Sequence, residues 1–251
     1  RCAGRGFLLL TVLLPVNEIL SREIGCRRLR RYNHTQFRES NSMGFYERRI
    51  LPHVINCACG SKPIMRQREK VVPLARGEVL EIGIGTGLNL PLYDPSKVTR
   101  LVGLDPSEKS WELAGKRARA LPFPVEFVGL PGEAIPLADD SVDTVVVTFA
   151  LCTIPDPVAA LRGMARVLKP GGELLFCEHG LAPDHGVQRW QHRINGVWAS
   201  VCGGCNLNRD IPGLLASGGF HVDELQTMYL PNTPRIAGYN YWGRAQRIGR
   251  A

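Results

Sequence analysis

The sequence lacks an apolar run long enough to cross a lipid bilayer. Its run from Phe7 to Val16 is flanked by arginines and superficially resembles a signal peptide. A membrane-spanning helix needs about 20 apolar residues, and this run is shorter. No cleavage site of the A-x-A type follows it. The run is therefore too short for a membrane span, and an upstream or poorly ordered extension is favoured over a targeting signal. Peripheral membrane contact is possible but not indicated.

The main part of the chain also lacks a basic stripe. The formal net charge is +8, but residues 1–42 contain eight Arg and three Glu, which account for most of the excess. Proteins that follow a phosphate backbone carry clustered Lys and Arg with interleaved aromatic residues. The rest of the chain shows no such pattern, so we expect no nucleic acid partner.

Internal repeats are absent, and cysteines are too few for a disulfide scaffold. Eight Cys in 251 residues are interpreted more simply as thiols in a reducing cytoplasm. Met43 opens a stretch that resembles the start of a domain. We expect a poorly ordered or non-native extension at residues 1–42, an N-terminal helical cap at residues 43–76, and a main domain at residues 77–251 with an insertion at residues 181–210.

Short β-branched runs alternate with amphipathic stretches from residue 77 onward. This pattern is typical of βαβ units around a parallel sheet. Two late strand-like runs are separated by too short a loop for a crossover helix, so one should run antiparallel to its neighbour. The predicted strands are Val79–Ile82, Leu101–Leu104, Val125–Val128, Thr144–Phe149, Glu173–Cys177, His221–Leu230 and Tyr239–Arg244.

A glycine-rich turn follows the first predicted strand. In Glu81-x-Gly83-x-Gly85-x-Gly87 the glycines allow a tight turn and let a ligand lie against bare backbone. A carboxylate two positions before the first Gly suits a positively charged ammonium and disfavours a pyrophosphate. The structural alternative for Glu81 is a buried carboxylate that caps loop amides.

The residues after this turn distinguish two kinds of nucleotide cofactor. Leu88 and Asn89 stand where a dinucleotide fingerprint has its third Gly. Asp105 ends the second strand, where a carboxylate can accept hydrogen bonds from both hydroxyls of a ribose. Such a contact with ribose would suit either cofactor. Asp105 could instead have a purely structural role as a negative charge at the N-terminus of the next helix. The turn therefore favours S-adenosylmethionine over a nicotinamide dinucleotide.

Two further motifs follow in order, Gly132 to Leu137 with Asp140 to Asp143, and Arg166 to Gly172. With the glycine-rich turn and Asp105, they resemble class I S-adenosylmethionine-dependent methyltransferases over residues 77–180. The resemblance implies a Rossmann-like α/β fold, a seven-stranded mostly parallel sheet with the last strand antiparallel, and helices on both faces. It also implies S-adenosylmethionine as cofactor. The cofactor-binding candidates are Glu81, Gly83, Gly85, Gly87, Asn89, Asp105, Pro106, Gly132, Glu133, Thr148, Phe149 and Ala150.

Segments outside these motifs are similar to a narrower group. Phe45 to Arg48, Glu69 to Pro73, Glu178 to Gly180 and Gly204 to Arg209 resemble the methyltransferase-like thiol S-methyltransferases and their bacterial relatives. The resemblance implies a small-molecule acceptor and suggests a thiol. Methylation of a quinone precursor, a phenol or a lipid amine stays open. So do a nicotinamide-dependent oxidoreductase and a non-catalytic protein that keeps the fold.

His179 is the candidate catalytic residue. It follows the fifth predicted strand, and a thiol acceptor reacts as the thiolate that a neighbouring base helps to form. Its structural alternative is to shape the loop. Cys202-Gly-Gly-Cys205 has the spacing of a redox pair or of half a zinc site, with Cys57 and Cys59 as a second pair. We expect ordinary buried or loop thiols at these positions and no metal.

Overall fold

The computed structural model describes residues 59–249, where seven strands form one sheet in the order β3-β2-β1-β4-β5-β7-β6. The expectations for residues 1–42, for residues 43–58 of the cap and for Cys57 lie outside the described residues. The strands are β1 (Gly77–Ile82), β2 (Val98–Leu104), β3 (Val125–Val128), β4 (Val142–Thr148), β5 (Leu168–His179), β6 (Phe220–Tyr229) and β7 (Tyr239–Arg247).

Helices lie between most of these strands. They are α1 (Lys62–Arg68), α2 (Glu108–Arg119), α3 (Pro157–Val167), α4 (His185–Val201), α5 (Ile211–Ser217) and α6 (Arg235–Gly238), with 3-10 turns at Val72–Leu74 and Leu90–Leu92. Ser107 and Asp156 cap α2 and α3 through their side chains, as acceptors of otherwise unpaired amide hydrogens. Within residues 59–249, no helix combines the length and the apolar character that a bilayer crossing requires.

The predicted sheet is confirmed. β1, β4 and β5 pair in parallel, as do β1, β2 and β3, whereas β7 is antiparallel to both β5 and β6. The link between β6 and β7 contains only the short helix α6, too short for a crossover that would keep the two strands parallel.

Both faces of the sheet are buried at its central strands. Along β4, Val145 and Val147 pack in one apolar cluster with Leu161 of α3, whereas Val146 packs in a second cluster with Ala114 of α2. Successive side chains of a strand point to opposite faces, so an unbroken apolar run suits a strand that is covered on both sides. The helices therefore cover both faces of the sheet and leave the ends of its strands accessible.

Most strands begin or end a few residues from the expected positions, and two of these differences have a clear local cause. β4 ends at Thr148, because Phe149 has a φ of +52° that leaves the extended conformation. β5 begins before the expected Glu173. Helix α3 ends at Val167, and Lys169 to Gly172 already belong to β5 and form an irregularity in its pairing with β4. Gly171, with a φ of +75°, allows the extra residues to bulge outwards.

Candidate active site at the carboxyl edge of the sheet

The strand order reverses between β1 and β4, and a cavity of about 410 Å³ opens at the carboxyl ends of these strands. This is where open α/β sheets bind their ligands. Nine of the predicted cofactor residues line the cavity: Gly83, Gly85, Asp105, Pro106, Gly132, Glu133, Thr148, Phe149 and Ala150. Glu81, Gly87, Asn89 and His179 do not line it.

The glycine-rich turn needs its glycines for two different reasons. Gly83 has a φ of +73°, and a Cβ there would lie 2.5 Å from the Cβ of Ala150. Gly87 has a φ of +70°, and its Cβ would lie 2.6 Å from Cδ1 of Leu90. Gly83 therefore lets two loops meet at the cavity, whereas Gly87 lets the turn pack on the core behind it.

Asp105 joins the glycine-rich turn to the start of α2. Its Oδ2 accepts a hydrogen bond from the Gly85 amide at 3.0 Å, and its Oδ1 accepts one from the Ser107 amide at 2.8 Å. Burial raises the pKa of Asp105, while these two amide hydrogen bonds oppose the rise. Each carboxylate oxygen keeps a further acceptor position, and the side chain borders the cavity. The geometry suits the predicted contact with ribose hydroxyls.

Glu81 lies beneath the turn rather than on the cavity wall. Its side chain is buried, with Oε1 accepting from Nδ2 of Asn89 at 2.9 Å and Oε2 accepting from the Tyr93 hydroxyl at 2.7 Å. Burial raises its pKa to about 7, against the opposing effect of these hydrogen bonds and of Arg68. Its predicted contact with an ammonium group stays a prediction.

Arg68, which sequence reasoning missed, provides a buried cation at the cavity wall. Its Nη1 donates to Oδ1 of Asn89 at 2.9 Å and to the Thr148 hydroxyl at 2.5 Å, and its guanidinium lies 4.9 Å from the ring centre of Phe149. Its Nε is buried without a hydrogen-bond partner among the described residues. No local pattern in α1 distinguishes this arginine from its exposed neighbour Arg66.

Glu178, the penultimate residue of β5, fixes the loop that follows β4. Its Oε1 accepts from the amides of Ala150 at 2.8 Å and of Leu151 at 3.0 Å. Burial raises its pKa to about 7, although both amides oppose the rise. Arg209 holds the same loop from the other side by donating to the Leu151 carbonyl. The wall formed by Thr148 to Ala150 is thus held by groups from distant parts of the chain.

His179 faces a pair of cysteines instead of the cavity. Its Nε2 lies 3.2 Å from Sγ of Cys205, and Cys152 lies in the same cluster. The hydrogen bond with Cys152 lowers the pKa of Cys205 and raises that of Cys152. Burial is the largest single effect on the pKa of His179 and acts to lower it, but the hydrogen bond to Cys205 and the charges of Cys205 and Glu178 together raise the pKa. The predicted catalytic role of His179 stays a prediction.

Comparisons with known proteins agree with this fold and site. Residues 80–176 match the family described as a methyltransferase domain. Human thiol S-methyltransferase TMT1B is 36% identical over 177 residues, covering 65% of this chain and 71% of the relative. Human thiol S-methyltransferase TMT1A is 34% identical over 66% of this chain and 71% of its own length.

Solved structures show the same fold at lower identity. An S-adenosylmethionine-dependent methyltransferase from Thermotoga maritima has a TM-score of 0.56 at 22% identity, covering 80% of this chain and 97% of that chain. Another from Mesorhizobium loti has a TM-score of 0.56 at 20% identity, with coverages of 75% and 98%. The fold and these relatives define a methyltransferase of Rossmann-like architecture.

The chain belongs to the class I S-adenosylmethionine-dependent methyltransferases, in the family that includes thiol S-methyltransferases TMT1A and TMT1B. Its cofactor is S-adenosylmethionine, and it methylates a small molecule.

Substituting Asp105 tests the ribose contact. Asp105→Ala should weaken binding of S-adenosylhomocysteine by about 1.5–3 kcal/mol, the range for a hydrogen bond to a charged group. Titration calorimetry of the full chain measures this loss. Asp223→Ala, which removes an exposed carboxylate on β6 away from the cavity, should bind as the parent does. Equal affinity of the parent and Asp105→Ala would remove Asp105 from the site.

Substituting Glu81 tests the buried carboxylate. The folded-state pKa of about 7 lies above the ordinary value of 4.5, so the folded state holds this proton more tightly than the unfolded state does. The ionised group therefore destabilises the fold increasingly as pH rises between these values. Glu81→Gln removes this titration, and its stability relative to the parent should rise by about 2–3 kcal/mol from about pH 5 to about pH 8.

Urea unfolding of both proteins without cofactor measures this difference. Glu178 titrates over the same range, but it is present in both proteins and cancels. A stability difference that does not change with pH would show that burial does not shift the pKa of Glu81.

Proposed function

We propose that the methyl acceptor is a small thiol. The observation that carries this proposal is the extent of similarity to the thiol S-methyltransferases. Their alignment runs over 177 residues, well beyond the 80–176 span of the methyltransferase domain. The demethylmenaquinone methyltransferase of Clavibacter sepedonicus is 35% identical over only 119 residues, 48% of its length. Because methyltransferases share the cofactor half, the additional similarity bears on the acceptor side.

Four parts of the cavity wall fit the cofactor. Asp105 receives the ribose, as argued above, and Gly132 and Glu133 face the adenine. Glu133 keeps a buried Oε2 without a partner among the described residues, which suits a donor group of the base. Arg68, with its buried and unpartnered Nε, binds the carboxylate of the methionine portion. Phe149 lies against the same portion.

The chain promotes the reaction mainly by positioning. When bound, S-adenosylmethionine supplies a methyl group on a sulfonium, which an acceptor displaces in line. The rigid wall around Phe149 and Ala150 holds the reacting groups at a fixed separation, an effect worth about 7–11 kcal/mol in favourable cases. Asp105 and Arg68 fix the two ends of the donor, so that its central part has one orientation in the cavity.

The residues on the cavity wall favour an acceptor that ionises readily. Among the described residues that line the cavity there is no histidine or lysine, and His179 faces Cys205 instead. A free thiol has a pKa about 1.5 units below that of a phenol and about 2 below that of an alkylamine. A thiol therefore needs less help to become the nucleophile than the alternative acceptors do.

Matched acceptors test this proposal. The purified full chain is given S-adenosylmethionine with an alkyl thiol, with the alcohol and the amine of the same carbon skeleton, and with a demethylated quinone precursor. We expect a methyl thioether, identified by mass spectrometry, and S-adenosylhomocysteine in equal amount from the thiol alone. Asp105→Ala, with weakened donor binding, serves as the control for contaminating activity. Turnover of the quinone precursor without turnover of the thiol would contradict the proposal.

Substituting Arg68 tests the carboxylate contact. Arg68→Met should lower the affinity for S-adenosylhomocysteine about 10- to 100-fold, the equivalent of losing a hydrogen bond to a charged group. Affinity for 5′-methylthioadenosine, which has no carboxylate, should change much less, and calorimetry measures both.

Binding of methylthioadenosine also checks that the variant still folds. Arg66→Met is the matched control, because this residue is on the same helix and exposed. An equal loss for both ligands would mean that Arg68 supports the wall structurally and does not bind the carboxylate.

A further inference from the structure

Cys152, His179 and Cys205 form a cluster beside the cavity. Cys152 lies in the loop after β4, His179 ends β5, and Cys205 lies in the loop after α4. The two sulfur atoms and one ring nitrogen all lie within 4.8 Å of one another. Three segments far apart in sequence thus bring three metal-ligating side chains to one point, which neither the proposed cofactor contacts nor the core packing requires.

The ligand set selects the kind of ion. Two thiols and one imidazole are soft and borderline donors that suit zinc, whereas magnesium and calcium prefer oxygen. With bonds of about 2.3 Å to sulfur and about 2.0–2.1 Å to nitrogen, the ligand atoms of a tetrahedral zinc site lie about 3.5–3.8 Å apart. This separation lies between the 3.2 Å from His179 to Cys205 and the 4.8 Å within which all three ligand atoms of the cluster lie. The 3.2 Å between His179 and Cys205 needs an adjustment of a few tenths of an ångström.

We propose that Cys152, His179 and Cys205 bind one zinc ion and that its fourth position receives the sulfur of the thiol acceptor; the second part rests on the function proposed above. Structural zinc sites have four protein ligands, whereas catalytic sites have three and leave one position open. The described residues supply three at this point. Two Cys and one His are a known ligand set of catalytic zinc.

Surrounding hydrogen bonds hold the ligands in place, as in established metal sites. Nε1 of Trp198 donates to Sγ of Cys205 at 3.5 Å. The amide and the side chain of Asn206 both donate to the Cys152 carbonyl, at 2.9 and 3.0 Å. Asn195 of α4 donates in turn to the side chain of Asn206 at 2.9 Å. The helix, the loop and the end of β4 are therefore tied together around the ligands.

The site adjoins the cavity on both sides. Thr153 follows Cys152 directly and lines the cavity, as does Gly203, two residues before Cys205. An acceptor thiol at the open position loses its proton to solvent and is held as a thiolate. Its sulfur forms a bond to the methyl carbon while the bond from that carbon to the donor sulfur breaks. The electron pair of the broken bond goes to the donor sulfur, and S-adenosylhomocysteine leaves uncharged at sulfur.

The first test is metal binding by the full chain under reducing conditions. The protein, stripped with a chelator, is titrated with zinc alone and with cobalt alone. We expect one ion per chain and a cobalt spectrum with thiolate charge-transfer bands and tetrahedral d–d bands. Cys152→Ser, Cys205→Ser and His179→Ala should each lower the affinity at least about tenfold. Cys202→Ser, three residues from Cys205 and outside the cluster, should bind as the parent does.

Several results would overturn the metal site. They are the absence of stoichiometric binding, full binding by Cys205→Ser, and a Cys152–Cys205 disulfide in place of the ion. Cys59, a thiol on the cavity wall, is the available fourth protein ligand. If Cys59→Ser loses the ion as the cluster variants do, the site is closed and the open position is refuted.

The second test addresses the open position. Addition of an alkyl thiol to the cobalt form should shift its charge-transfer bands, and the matched alcohol should not. An unchanged spectrum would refute acceptor coordination. Failure of the zinc site can be distinguished from failure of the proposed function. If the chain methylates a thiol but binds no metal, only the zinc site is refuted. A metal-binding chain that methylates no thiol refutes the thiol acceptor and its place at the fourth position, but not the binding of zinc by the three side chains.

Discussion

The burial of Glu81 is the constraint on which the cavity wall next to the glycine-rich turn depends. A carboxylate removed from water must be paired or hydrogen-bonded, because an isolated buried charge is strongly unfavourable. Asn89 and Tyr93 supply the direct contacts, and Arg68 joins through Asn89 and Thr148. The network therefore ties α1 and the glycine-rich turn to the end of β4. A donor pocket formed by separate loops becomes one rigid wall.

Glu178, a second buried carboxylate, fixes a loop on the opposite face of the sheet. Residues two apart on a strand share a face of the sheet. Val79, on the same face of β1 as Glu81, belongs to one core cluster. Phe176, on the same face of β5 as Glu178, belongs to the other core cluster. Glu178 accepts from two amides of the loop after β4. The loops around the cavity are thus held by two internal anchors, one on each face of the sheet.

The sequence could predict what depends on local pattern. The sheet, the antiparallel last strand, the glycine-rich turn and Asp105 at the end of β2 follow from periodicity and from one motif. Arg68 could not be predicted, because its partner Thr148 is 80 residues away and nothing in α1 marks its direction. The same holds for the cluster: Cys205 suggested a partner in Cys202, the nearest cysteine in sequence, whereas the fold brings it to His179, 26 residues earlier.

The conformation of Phe149 depends on contacts made by the loop that follows β4. A positive φ in a bulky residue costs of order 1–3 kcal/mol and persists only where its surroundings determine the backbone. Here Glu178 and Arg209 hold the residues that follow, and Asn206 holds Cys152 beyond them. These contacts therefore maintain the backbone conformation that places Phe149 on the cavity wall. We therefore expect a change in the loop after β4 that releases this strain to move the cavity wall as well, which would couple acceptor specificity to donor binding.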